Sequence, residues 1–199
     1  MSHFATLGGK MNDSKKSTKP VFDYASFEER LVLEVCGIMK KYGDNQDVYA
    51  FSVEYYPDFM TCIFVRANTY SHVKEMMAKD ISGLDLNYFK MNEEEWNIIE
   101  NMEDLSKELQ EHYKAIENWA SDDYEKEDTA RKEHEKKIIE TCEKAMLGVK
   151  SSKEYSLFPK LNLNVYLSSR ITDEDRLAIF KKLNNDESVQ EYKTFLFGE

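Results

Sequence analysis

The sequence is short of glycine, proline and cysteine and has no long apolar run. Seven Gly and three Pro in 199 residues are too few for a collagenous, linker-rich or turn-dense all-β chain, so helix is expected to dominate. The three cysteines, Cys36, Cys62 and Cys142, are odd in number and far apart. Without CxxC spacing they suggest neither a zinc ribbon nor a disulfide framework, and they read as small buried hydrophobes in a reducing compartment. No apolar stretch approaches the roughly 18 residues of a membrane helix, and the N-terminus lacks the apolar core of a signal peptide. A soluble, cytoplasmic protein is the expectation.

Known catalytic spacings are missing too. The glycines fit neither GxxxxGK nor GxGxxG, which disfavours nucleotide-dependent chemistry, and there is no GxSxG or Cys with an identifiable His partner. His134-Glu135-Lys136-Lys137-Ile138 begins like HExxH but has Ile where the second zinc ligand must stand. His112, one turn from Glu108, reads as an ordinary helix pair rather than a metal site. No calcium loop of the DxDxDG type is present, and no cofactor or metal is expected.

What the chain has is negative charge. Acids outnumber bases 38 to 27, a net charge of −11, and such a surface repels a phosphate backbone, so nucleic acid is not expected as a partner. Between Glu93 and Asp128 fourteen acids face only Lys107, Lys114 and Lys126. That block reads either as the solvated outer face of long helices or as a steering surface for a basic protein. The residues singled out for the second role are Glu93, Glu94, Glu95, Trp96, Asp122, Asp123, Glu127 and Asp128. Trp96 and Trp119 also suit core packing.

Residues 1–20 carry four lysines against one Asp and no apolar period, and read as a disordered leader ahead of a single domain over 21–199. Ser26 with Glu29 suggests a capping box for a helix carrying Phe27, Leu31, Val35, Ile38 and Met39, stopped at Gly43. Residues 48–56 alternate with Tyr49, Phe51, Val53 and Tyr55 on one face. The turn at Tyr56-Pro57-Asp58 leads to a second strand, 59–67, apolar on both faces and expected to be covered on both sides. A short helix follows near 71–79.

From Leu84 to Leu147 no Gly or Pro interrupts the chain. Asn92 with Glu95 predicts one helix over about 93–120, with Ile98, Met102, Leu105, Leu109, Tyr113 and Ile116 as its stripe. A second follows through Ile138, Cys142 and Val149, so that the segment 92–150 forms an acidic helical hairpin. Leu161, Leu163, Val165 and Leu167 alternate with Asn162, Asn164, Tyr166 and Ser168, a strand with one buried and one wet face. Thr172 with Asp175 caps a helix with Leu177, Ile179, Phe180 and Leu183, and Val189, Tyr192, Phe195 and Leu196 close the chain as another. The fold class expected is α+β, a small, mostly antiparallel sheet with packed helices.

Five segments carry a resemblance: Asp47-Val48-Tyr49-Ala50-Phe51-Ser52-Val53, Arg66-Ala67-Asn68-Thr69, the run Phe89 to Trp96, Val165-Tyr166-Leu167-Ser168-Ser169 and the later Leu183-Asn184. Over roughly 25–197 the chain resembles a bacterial family of small α+β proteins of unknown function, some of which are thought to be immunity proteins of toxin systems. The resemblance implies a binding protein, and it carries over no catalytic residues. A module that captures a basic toxin or enzyme through an acidic helical face is the leading expectation. An enzyme with acid and base carboxylates dispersed in sequence, or a self-associating protein with an apolar seam from Ile98 to Ile116, are the alternatives.

Overall fold

The computed structural model describes residues 18–44, 47–57, 61–80, 82–158, 160–167 and 171–198. Helix α1, Tyr24–Tyr42, buries Phe27, Leu31, Val35 and Met39 and ends at Gly43 as its spacing predicts. Its cap is Asp23 rather than Ser26: the Asp23 carboxylate accepts the Ser26 N–H at 3.1 Å, because a side chain at the N-cap meets the free N–H groups of the first turn.

Strands β1, Val48–Tyr56, and β2, Cys62–Thr69, form the expected antiparallel pair. A bulge between Val48 and Ala50 sets two β1 residues against one on β2. It turns Tyr49 to the face opposite Phe51, Val53 and Tyr55, with which strict alternation had grouped it. β1, not β2, is the strand covered on both faces. On β2 the outer-facing Cys62, Phe64 and Arg66 remain half-buried.

Helices α2, Tyr70–Lys79, and α3, Leu86–Met91, follow. The predicted helix over 93–120 is here divided. Glu93–Glu95 form a single 3-10 turn, Ile98–Asn101 form strand β3 on β2, and only Glu103–Ala120 is helix α4. At 18 residues α4 is about 27 Å long, too short to project.

A three-residue loop, with Ser121 and Asp122 at positive φ, leads to α5, Tyr124–Lys150. This hairpin packs on the sheet with α1, burying Leu105, Leu109, Ile138, Cys142, Met146 and Val149 against Phe51, Val53, Ile63, Val65, Leu163 and Val165. The Tyr55 and Tyr113 hydroxyls meet at 2.6 Å. Gly148 permits a close approach of α5 to α1, since a Cβ there would lie 3.2 Å from Val32 Cγ2.

Strand β4, Asn162–Leu167, runs parallel to β1, and the sheet order is β3-β2-β1-β4. Two of the three pairings are antiparallel. Helices α6, Asp173–Leu183, and α7, Asp186–Phe197, complete the described chain. The second face of β4 is not wet: Asn164 is 2% exposed, because the outer layer roofs it. That layer holds two smaller apolar clusters, one around Tyr49, Val73, Phe89 and Trp96 and one of Met91, Leu177, Phe180 and Tyr192.

Of the leader expected over 1–20, residues 1–17 lie outside the described residues. Lys19 is tied to Glu133 on α5 by an ion pair, and Phe22 packs edge-on against His112 and His134. All three cysteines are free, and burial pushes the Cys142 thiol up to about 12. Leu163 is fully buried, so Leu163→Ala is expected to cost about 2–4 kcal/mol in chemical denaturation; a loss under about 0.5 kcal/mol would contradict its place in the core.

Candidate functional site

Two features of the folded chain bear on function: a buried ionic cluster on the outer face of the sheet, and an acidic stripe along α4. The cluster is built by alternation. With Phe51, Val53 and Tyr55 inward, Ser52, Glu54 and Tyr56 of β1 face outward, beside Phe64 and Arg66 of β2 and Asn164 and Tyr166 of β4. Asn92 caps the 3-10 turn, its side chain accepting the Glu94 N–H at 3.4 Å, and the turn drops Glu93 onto the sheet.

Glu93 is fully buried. It accepts from Asn164 Nδ2 and, at 3.3 Å, from Arg176 Nη2 of α6. Arg66 donates from Nε to Glu54 at 3.0 Å and from Nη1 to the carbonyls of Glu93 and Glu94 at 3.3 and 3.0 Å. Tyr56 donates to Glu54 at 3.2 Å and Tyr166 to Glu94 at 3.0 Å, and the Arg176 guanidinium lies 5.1 Å over the Tyr166 ring. Ser52 Oγ, Glu54 Oε1 and Arg176 Nε have no hydrogen-bond partner among the described residues.

Burial outweighs the arginines electrostatically. It pushes the Glu54 carboxyl up to about 8 and Glu93 to about 6, with Arg66 and Arg176 respectively opposing, and with Glu93 adding to the rise of Glu54 and Glu94 to that of Glu93. At neutral pH Glu54 therefore holds its proton. The cluster contains one carboxyl able to donate and one able to accept, two groups driven apart by environment as acid–base pairs are.

A second titratable group sits where the N-terminal segment, α1, α4 and α5 converge. His134 is 2% exposed, with its ring 4.4 Å from that of His112 and its Nδ1 2.8 Å from the Tyr24 hydroxyl. Beside them is a cavity of about 360 Å³ lined by Lys19, Phe22, Tyr24, Ile116, Glu133 and Lys137, among others. Burial, then the neighbouring His112 and Lys137, lower His134 to about 3. His112 is lowered as well, by burial and Lys19.

These shifts have opposite pH consequences. The stabilisation from Glu54 and Glu93, whose folded values are raised, is complete below their ordinary 4.5 and is lost as pH rises through about 6 and 8. That from His134 is complete above its ordinary 6.5 and is lost as pH falls toward about 3. On these three groups the protein is more stable at pH 5 than at pH 8. Glu54→Gln, which still accepts from Arg66, should gain on the order of 1–3 kcal/mol at pH 8 and little at pH 5 in urea unfolding. An equal effect at both values would mean that Glu54 is ionised in the fold.

The residues expected to steer a partner do not form one surface. Glu93 and Trp96 are buried and are withdrawn from any exposed face, Glu93 by Arg176 and Asn164 and Trp96 by its apolar cluster. Glu94 is exposed and Glu95 half-buried on the outer layer. Asp122, Asp123, Glu127 and Asp128 lie at the hairpin turn, in the layer on the other side of the sheet. There Asp123 caps α5 through the Lys126 N–H at 3.1 Å, while Glu127 and Asp128 each pair one turn on, with Arg131 and Lys132 at 2.7 Å. Asp122 is exposed without an ion pair among the described residues.

Acids of the same block that were not singled out in sequence are on α4. Glu103, Asp104, Glu111 and Glu117 are exposed and make no ion pair among the described residues. Glu108 on the same helix pairs with Arg30, which together with the packing of His112 against Phe22 and His134 accounts for the Glu108–His112 pair without a metal. The signal was available: Glu103, Asp104 and Glu111 lie opposite the stripe Leu105, Leu109, Tyr113 and Ile116, all buried, and Glu117 lies at its margin, so the apolar seam of a self-associating protein is covered from Leu105 onward.

Among the described residues no group of three or more His, Cys, Asp or Glu is placed to hold a metal ion, and no helix is long and apolar enough to cross a membrane. Comparison with protein-family models, curated proteins and solved structures finds no match to this chain.

Proposed function

We propose that the chain is a cytoplasmic protein-binding module, an immunity-type inhibitor that captures a basic toxin or enzyme with surface carboxylates. The observation that carries this reading is the α4 stripe: Glu103, Asp104, Glu111 and Glu117, continued by Asp122, are exposed and make no ion pair among the described residues, and against the exposed Lys107 and Lys114 of the same helix they keep a net negative charge. Acids already paired along a helix project little field, whereas unpaired ones attract cations over roughly a Debye length. The resemblance read from the sequence over 25–197 points the same way, although no family model matches it. The carboxylates stand in for the anionic groups that a basic protein would otherwise engage.

The test is kinetic. Association with the cognate basic protein should slow tenfold or more between about 50 and 500 mM salt; a rate independent of salt refutes steering.

The buried pair Glu54 and Glu93 favours a second reading, an acid–base enzyme, because two carboxyls held above their ordinary range are arranged beside two arginines. That reading requires substrate to reach Glu54, whose side chain is completely buried. Glu54→Gln separates the two: it abolishes turnover in an enzyme and leaves partner capture unchanged in a binding module.

A further inference from the structure

The two edges of the sheet are treated differently. On β4 the Asn184 side chain accepts the Leu163 N–H at 2.8 Å and donates to the Leu163 carbonyl at 2.6 Å, occupying the positions a fifth strand would use. On β3 no described residue does the same. The Met102 N–H donates to the Ile63 carbonyl at 3.3 Å, which fixes the phase of the ladder. With Glu100 opposite Val65 and Ile98 opposite Ala67, the backbone groups of Ile98 and Glu100 turn toward β2, and those of Ile99 and Asn101 turn outward.

Side chains along this edge are apolar, then acidic. Ile99 is 58% exposed and lies in a groove of about 460 Å³ lined by Cys62, Phe64, Asn101, Ser106 and Lys107, among others. α4 begins at one end of the groove with Glu103, which also lines it, and Asp104.

We propose that the open edge of β3 receives an extended, basic segment of the captured protein as an added strand, an inference that rests on the capture reading above. The segment's backbone pairs with the outward groups of Ile99 and Asn101, as in other edge-strand recognition. One apolar side chain seats against Ile99 and Phe64, and Lys or Arg side chains reach Glu103 and Asp104. Lys107 on the same wall confines the cationic positions to the Glu103 end. An unpaired edge next to unpaired acids selects a strand that supplies both backbone donors and positive charge, and neither an acidic peptide nor a helix does.

The probe is an end-blocked octapeptide of alternating Lys and Val, titrated against the whole chain by amide NMR. At about 50 mM salt it should slow exchange of the Ile99 and Asn101 amides tenfold or more. A version N-methylated at every second residue should bind at least about tenfold more weakly, having lost its edge hydrogen bonds, and the Glu-Val counterpart should not bind. Ile99→Pro removes the outward-facing N–H together with the apolar side chain that the peptide seats against and should abolish binding; if that variant fails to fold, Ile99→Lys serves.

Binding that perturbs Glu111 and Glu117 but leaves Ile99 and Asn101 exchanging as before overturns the edge proposal and leaves the capture reading standing. Protection of the two amides in the free chain that grows with its concentration also overturns it, because a second copy then fills the edge. If the basic peptide binds nowhere and the cognate partner's association ignores salt, both readings fall.

Discussion

Arg176→Met is expected to cost about 3–5 kcal/mol at pH 8, because it leaves the Glu93 carboxylate buried without its cation. The Arg176 side chain is 17% exposed and that of Glu93 is completely buried, so water cannot replace the guanidinium at 3.3 Å. Asn164 remains as a donor, but a neutral amide does not offset a stranded charge.

The mutant's escape is protonation of Glu93, and this gives the prediction its pH signature. In the native chain Glu93 titrates at about 6. Without Arg176 its value rises further, so the penalty should be largest at pH 8 and shrink toward pH 5, where the carboxyl is already neutral. The double variant Arg176→Met with Glu93→Gln should recover most of the loss, since removing both charges together removes the desolvation cost of each. Urea denaturation at the two pH values reads all of this. A loss below about 1 kcal/mol at pH 8, or no recovery in the double variant, would show that the pair is solvated and that the cluster is not an ionic core.

Why the sequence conveyed some of this and not the rest follows from the range of the interactions. β4 was legible because four apolar residues alternate with polar ones, and one buried face is enough to impose period 2. α1, α6 and α7 were legible because each has a cap and a stripe. Strand β3 was misread because Ile98 and Met102 are four apart, a spacing that satisfies a helical period of 3.6 and a strand period of 2 equally well. A four-residue edge strand adds too few positions to break the tie, and its pairing partner β2 lies some thirty residues earlier in the chain.

Tyr49 was misplaced for a different reason. A bulge is a property of two strands, and nothing in Val48-Tyr49-Ala50 alone signals it. The cluster of Glu54, Arg66, Glu93 and Arg176 was invisible for the same reason at longer range: its members come from β1, β2, a 3-10 turn and α6. In the sequence Glu54 sits on the polar side of an alternating strand, the pattern of a solvated face, and only the roof of Glu93, Arg176 and Tyr192 makes it a buried one. The acidic block was read by composition, which counts charges without asking which are paired. Structure subtracts Glu93, Glu100, Glu108, Glu127 and Asp128, each held by a cation, and the α4 stripe is among the acids left.

Reversing that stripe is expected to slow capture of the basic partner tenfold or more at low salt while leaving the fold intact. The cleanest set is Glu111→Lys, Glu117→Lys and Asp122→Asn. The first two lie on the exposed side of α4 and make no ion pair among the described residues, so their loss should change stability by no more than about 1 kcal/mol. Asp122 adopts a left-handed conformation with φ 71°, which Asn tolerates and Lys does not. Glu103 and Asp104 stand in the first turn of α4, where they also stabilise the helix N-terminus by about 0.3–1 kcal/mol each; changing them would mix steering with stability. Two neutral replacements of whole ion pairs, Glu127→Gln with Arg131→Gln and Asp128→Asn with Lys132→Gln, provide the contrast. Those acids are each neutralised by a cation one turn away at 2.7 Å, so at long range they present little field. The three-residue set should therefore slow association more than these replacements do, and by less at about 500 mM salt than at 50 mM, where the screening length falls from roughly 14 Å to 4 Å. If the two sets act equally, or if the change falls wholly on the dissociation rate, the carboxylates act by short-range contact, and long-range attraction by α4 is not how the partner is captured.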